Sequence, residues 1–174
     1  MQEKTFIKNH KEQKISVLIE KPENPRGLVF IMHGLGGFKE QPHIQAFADA
    51  FKENSFTVVL FDARDTIGES EGKMEDATIS SYYKDLEDVI EWSKFQSWYK
   101  DPFWLAGHSL GGICIALYAE NYPEKIKALA PISTLVSGKL NWETHDPKEL
   151  EEWKRTGWQE SESRSKPGVI KRLK

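Results

Sequence analysis

The sequence holds one cysteine, Cys114, so no disulfide can close within the chain and nothing ties it to an oxidising compartment. Long hydrophobic runs are missing as well. Stretches such as Leu28–Met32 fall far short of the about 20 apolar residues a membrane-spanning helix requires. The opening Met1-Gln2-Glu3-Lys4-Thr5 is polar and runs into further charge, unlike a secretory signal peptide. No sign of charge dominates: 24 Lys and Arg oppose 27 Asp and Glu, and a net charge of −3 offers no field for nucleic acid. There is no internal repeat or low-complexity tract, and neither G-x-G-x-x-G nor a P-loop lysine is present. No ligand cluster shows metal-binding spacing, so no metal and no organic cofactor is expected. These absences set the expectation of a soluble, cytoplasmic protein. Its 174 residues, 39% hydrophobic and 29% charged, suffice for one domain with a core.

What is present is an alternation of apolar runs and helical spacing. Thr5-Phe6-Ile7 and Ile15–Ile19 are β-prone and separated by a polar segment, which predicts a hairpin or two edge strands. Leu28–Met32, Val58–Phe61 and Phe103–Ala106 are apolar at every position, the pattern of strands covered on both faces; Ile126–Ile132 looks like a fourth. Between them, Ile44, Phe47, Ala48 and Phe51 recur at helical spacing, as do Ile79, Tyr83, Leu86 and Ile90, and then Ile113, Ala116 and Leu117. Asp62–Lys73 reads as a polar loop. Strands alternating with helices predict an α/β fold: a mostly parallel, doubly wound sheet with helices on both faces. From Asn141 the character changes, with one short amphipathic helix around Pro147–Arg155 and a loose tail from Gly157 to Lys174. The expected division is a core over residues 1–138 and an incomplete lid or cap segment over 139–174.

Two glycine motifs follow apolar strands, at the sheet edge where α/β proteins bind ligands. Gly107-His108-Ser109-Leu110-Gly111 fits the nucleophile-elbow pattern G-x-S-x-G. A serine on a sharp strand-to-helix turn takes strained backbone angles. Gly107 and Gly111 remove the Cβ atoms that would collide with the neighbouring strand and helix. Ser109 then sits at a helix start, where free N–H groups favour negative charge. Acyl transfer also needs fixed donors for an oxyanion. The N–H of Leu110 follows the serine, and His33-Gly34-Leu35-Gly36-Gly37 supplies a second donor, best assigned to Leu35, with Gly34 as a loop glycine.

With these loops, Asp62-Ala63-Arg64 and Gly68-Glu69-Ser70-Glu71-Gly72, the chain resembles the α/β-hydrolase superfamily over roughly residues 1 to 135. Gly36-Gly37-Phe38-Lys39-Glu40 followed by Pro42-His43-Ile44 is similar to bacterial cinnamoyl- and feruloyl-esterase-like hydrolases, with monoglyceride-lipase-like and serine-aminopeptidase-like groups as neighbours. One departure is Arg64-Asp65-Thr66-Ile67-Gly68, where Arg-Gly-His-Gly is usual. The resemblance implies a carboxylic-ester hydrolase acting on a small-molecule ester through an acyl-enzyme on Ser109. It also implies an acid and then a histidine after the serine, from loops following two further strands. Only His145 follows Ser109, next to Asp146 and after no buried strand, so a solvated lid histidine is expected there. The C-terminal strands are therefore expected to be missing and the chain to be truncated. Ile126–Ile132 would then be an exposed edge open to self-association. The alternative is a non-catalytic binding module that keeps the hydrolase scaffold.

Overall fold

The structure, a computed structural model, describes residues 1–174. Strands β1 (Gln2–Lys8) and β2 (Lys14–Glu20) form the antiparallel hairpin expected at the N-terminus. Strands β3 (Gly27–Met32), β4 (Phe56–Phe61), β5 (Phe103–His108) and β6 (Ile126–Ile132) are parallel, and the six-stranded sheet runs β1-β2-β4-β3-β5-β6. Helix α1 (Pro42–Glu53) links β3 to β4, α2 (Ile79–Ser93) links β4 to β5, and α3 (Leu110–Asn121) links β5 to β6.

The sheet is covered on both sides, as a wholly apolar strand requires. On one face Ile44 and Ala48 of α1 pack on Val29, Ile31, Val58 and Leu60. On the other, Leu86 and Ile90 of α2 and Leu110 and Ile115 of α3 pack on Phe30, Met32, Val59 and Phe61. Each such side chain contributes about 1.5–3 kcal/mol on burial, which makes β3 and β4 the rigid centre of the molecule.

Several expectations change on contact with the fold. The inward stripe of α2 is Tyr82, Asp85, Leu86, Val89 and Ile90, whereas Ile79 is exposed. In α3 the inward residues are Cys114, Ile115 and Tyr118, and Leu117 faces outward. This helix is apolar all round, so its sequence carries no face to read. Strand β6 is not buried on both faces: it pairs only with β5, and its residues alternate between half-buried and exposed. Only the first part of the polar loop after β4 is buried, at Asp62, Ala63, Arg64, Asp65 and Thr66, while Glu69 and Glu71 to Lys73 are exposed.

Beyond β6, α4 (Gly138–Glu143) precedes the expected amphipathic helix, observed as α5 (Pro147–Thr156). Asp146 caps α5 by accepting from Lys148 N–H at 2.7 Å, and Gly157 ends it in the left-handed conformation (φ +75°). The tail is not loose. Strands β7 (Gln159–Glu162) and β8 (Ile170–Leu173) form an antiparallel hairpin that folds back on the core. Lys166 Nζ donates to the Ile67 carbonyl at 2.7 Å and lies 4.2 Å from the centre of the Phe38 ring. Gln41 Nε2 donates to Ser165 Oγ at 3.2 Å, and Ser163 is buried beneath the turn. No single apolar stripe signals this docking, because cation–π and polar contacts carry it.

Candidate active site

The loops after β3, β4 and β5 converge at the C-terminal edge of the parallel strands. Ser109, between β5 and α3, has φ +52° and ψ −114°, a conformation serine rarely adopts. The surroundings impose it. Ser109 N–H donates to the Ile132 carbonyl at 2.9 Å, while the Ser109 carbonyl accepts from Gly112 N–H at 3.0 Å. The flanking glycines leave no room for a side chain. A Cβ on Gly107 would lie 2.5 Å from the Gly111 carbonyl oxygen, and one on Gly111 would lie 2.5 Å from the His33 carbonyl oxygen. Gly34 lies close to the serine itself, where a side chain would crowd it: a Cβ there would sit 3.0 Å from Ser109 Cβ.

After β3 the chain makes a tight turn in which Gly37 N–H donates to the Gly34 carbonyl at 3.0 Å, with Gly36 at the third position in the positive-φ region (+59°). Leu35 is at the crest of this turn, 39% exposed, and its N–H has no backbone acceptor. Leu110 is buried, and as the first residue of α3 its N–H lacks an intrahelical partner. The structure thus brings Gly34, Leu35, Gly107, Ser109, Leu110 and Gly111 to one edge of the sheet.

The histidines do other work. His33 is fully buried; its Nδ1 faces the Gly34 carbonyl at 2.7 Å and its Nε2 faces Ala63 N–H at 3.1 Å. A carbonyl only accepts and an amide N–H only donates, so the ring is neutral with its proton on Nδ1. Burial lowers its pKa, consistent with that state. His33 therefore ties the first glycine loop to the end of β4. His10 pairs with Asp88 at 2.7 Å, and His145 lies 4.0 Å from Glu149 with its ring edge-on to Trp153. His43 and His108 stand 4.5 Å apart, centre to centre, both pushed below the usual imidazole value by burial first. None of the five histidines hydrogen-bonds to Ser109. Burial pushes the Cys114 thiol up to about 12, so it offers no competing nucleophile.

Composition alone does not flag the buried ion cluster behind the loop. Lys39 reads as a surface residue, yet its side chain is fully buried and meets Asp62 at 2.8 Å, Glu69 at 2.6 Å and Glu40 at 2.9 Å. Burial alone would lower the Lys39 pKa, but the Asp62 carboxylate and hydrogen bonds to Asp62, Glu69 and Glu40 outweigh it and hold it raised. Asp62 also accepts from Lys39 N–H at 2.7 Å and Glu69 N–H at 2.8 Å, so it fastens two loops together and serves no histidine. Thr66, within the segment that departs from Arg-Gly-His-Gly, donates its hydroxyl to the Gly37 carbonyl.

Residues 23–166 match the sequence profile of the family described as serine aminopeptidase, S33. The chain belongs to this hydrolase family. Mouse monoglyceride lipase is 29% identical over 118 residues, which are 64% of this chain and 36% of that protein. The structure of Est1E from Butyrivibrio proteoclasticus with ferulic acid bound superposes with a TM-score of 0.69 at 29% identity, covering 75% of this chain and 52% of the other. Mouse alpha/beta hydrolase domain-containing protein 10 gives a TM-score of 0.67 at 21% identity over 94% of this chain and 62% of its own, a likeness of fold. This serine aminopeptidase family member thus spans about a third of the length of the curated relatives it matches (36% of each). No helix in it is long and apolar enough to cross a membrane.

Proposed function

We propose that this chain carries the nucleophile half of a carboxylic-ester hydrolase, with Ser109 as the residue acylated. The strained Ser109 turn, with φ +52° and Gly34 at a position that leaves no room for a side chain beside it, is the observation that carries the reading. In the reaction, Ser109 Oγ attacks the ester carbonyl carbon, its proton passes to a base, and the alcohol leaves protonated. The N–H groups of Leu35 and Leu110 hold the oxyanion of the tetrahedral intermediate. His33 cannot be the base, because both ring nitrogens are taken. The base and its orienting acid are assigned to chain outside these 174 residues, and residues 139–174 to part of a lid. The names of the relatives, a monoglyceride lipase and an Est1E captured with ferulic acid, support an ester of a small organic acid or alcohol as the substrate class.

A fluorophosphonate probe applied to the full-length protein, base included, tests this. Labelling should map to Ser109 and disappear in Ser109→Ala; labelling that survives the substitution would overturn the assignment. One observation favours a second reading, a binding module that keeps the scaffold: no histidine of the chain reaches Ser109. That reading expects a ligand bound equally well by the wild type and by Ser109→Ala, with no turnover at any pH.

A further inference from the structure

Between the C-terminal hairpin and the start of α1 lies a cleft of about 500 Å³, none of whose lining residues is hydrophobic. Two of its walls are cationic. Arg164 comes from the turn joining β7 to β8 and Lys171 from β8, and neither pairs with a carboxylate. Glu162 also lines the cleft, its carboxylate accepting from Gly168 N–H at 2.8 Å, so the two cations exceed the one anion there. The floor is rich in donors. Ser163 is 96% buried, and its Oγ accepts from Lys166 N–H at 3.1 Å, which leaves the hydroxyl proton free. The 12-residue helix α1 begins here with no side-chain cap and no acid in its first turn, and the N–H of His43, which lines the cleft, has no intrahelical partner. The Nε2 atom of His43 is buried without a hydrogen bond.

Position links the cleft to the serine. His108, next to Ser109, is one of its walls, and Gly36 of the first glycine loop is another. A Cβ on Gly36 would lie 3.1 Å from Lys171 Cδ, so the lysine stem crosses the loop that holds Leu35.

The geometry points to this cleft as the subsite for an organic anion, a carboxylate or a phosphate, carried by the molecule that reacts at Ser109. The substrate class would then be an ester bearing a negatively charged group away from the scissile bond. That link to substrate rests on Ser109 being the nucleophile; binding of the anion does not. The cations and the helix start supply charge, and the hydroxyl and free N–H groups supply donors that an uncharged ester would leave unused.

Calorimetric titration of the 174-residue chain with succinate, and separately with inorganic phosphate, at low ionic strength tests the binding. Saturable one-site binding is expected, weakened tenfold or more in Arg164→Gln/Lys171→Gln, retained in Arg164→Lys/Lys171→Arg, and unchanged in Ser109→Ala. The better-bound anion identifies the group. Failure of both anions to saturate, or equal affinity in the charge-removing variant, would overturn the subsite. In the full-length protein, base included, saturating succinate should also slow fluorophosphonate labelling of Ser109 in the wild type and not in Arg164→Gln/Lys171→Gln. Labelling indifferent to succinate would break the link between cleft and serine. Absence of any labelling would overturn the nucleophile assignment and leave the calorimetric result standing.

Discussion

Gly34 and Ser109 face each other just beyond the ends of the neighbouring strands β3 and β5, so closely that a Cβ built on the glycine would lie 3.0 Å from the Cβ of the serine. The turn that presents Leu35 and the turn that presents Ser109 therefore set each other's position. Alanine at Gly34 should push the serine away and, in the full-length protein with its base, slow fluorophosphonate labelling tenfold or more with little loss of stability. At Gly111 the obstacles are backbone atoms, the His33 and Met32 carbonyl oxygens at 2.5 and 2.6 Å, which cannot rotate aside. Gly111→Ala should cost about 1–3 kcal/mol in urea unfolding. Equal stability of Gly111→Ala and wild type would show that the contact is not rigid.

The Lys39–Asp62 pair predicts a larger loss. Lys39→Met leaves the Asp62 carboxylate fully buried with two backbone N–H donors and no cation. Breaking a buried pair from one side costs about 3–5 kcal/mol, and the remaining donors place the expectation at the lower end. Lys4, half exposed and bound to Glu69 at the rim, serves as the control: Lys4→Met should change stability by less than about 1 kcal/mol. Similar losses in the two variants would contradict the account of the cluster.

Stability should fall on acidification for two reasons. Burial holds His33, His43 and His108 below the ordinary value of 6.5, and in His108 the neighbouring His43 and His33 add to it. The unfolded chain takes up those protons near pH 6.5 while the folded one resists, so their contribution is complete above that pH and is lost as pH drops through the lowered folded values. Glu69 is held at about 2 by hydrogen bonds from Lys39 and Lys4, against 4.5 unfolded, so its contribution is present above 4.5 and lost only as pH falls towards 2. Urea midpoints should already decline between pH 7.5 and 5.5, and His108→Gln should flatten that decline. An unchanged slope in His108→Gln would count against the burial argument.

Strand β6 pairs on one side only, and Leu129 is 39% exposed on it. A sheet edge with free N–H and C=O groups beside apolar side chains is a template for another strand, and Pro131 blunts it over part of its length. The isolated chain should self-associate, and Leu129→Lys should shift it toward monomer. Sedimentation velocity at two concentrations a hundredfold apart measures this; identical monomer coefficients for the wild type at both would remove the edge as an interface.

The parallel core was legible in the sequence because strands such as Val58–Phe61 are apolar at every position, a pattern that only a sheet covered on both faces accommodates. The serine turn was legible for a similar reason: Gly107 and Gly111 sit where a Cβ would strike backbone, and two glycines at that spacing around a serine mark such a turn. Local sequence determines local geometry, so those features needed no tertiary information. Charge and hydropathy, by contrast, depend on what a side chain meets. Lys39, Asp62 and Thr66 carry surface chemistry, and only the approach of the loops after β3 and β4 buries and pairs them. The tail from Gly157 reads as loose because its contacts are a cation over Phe38, a serine hydroxyl bonded to Gln41 and a lysine on a carbonyl, each with a partner far away in the chain, as with Lys166 and Ile67, 99 positions apart. The face of α3 was likewise settled by its neighbours, since a helix apolar on all sides turns inward whichever side the sheet and α2 present to it.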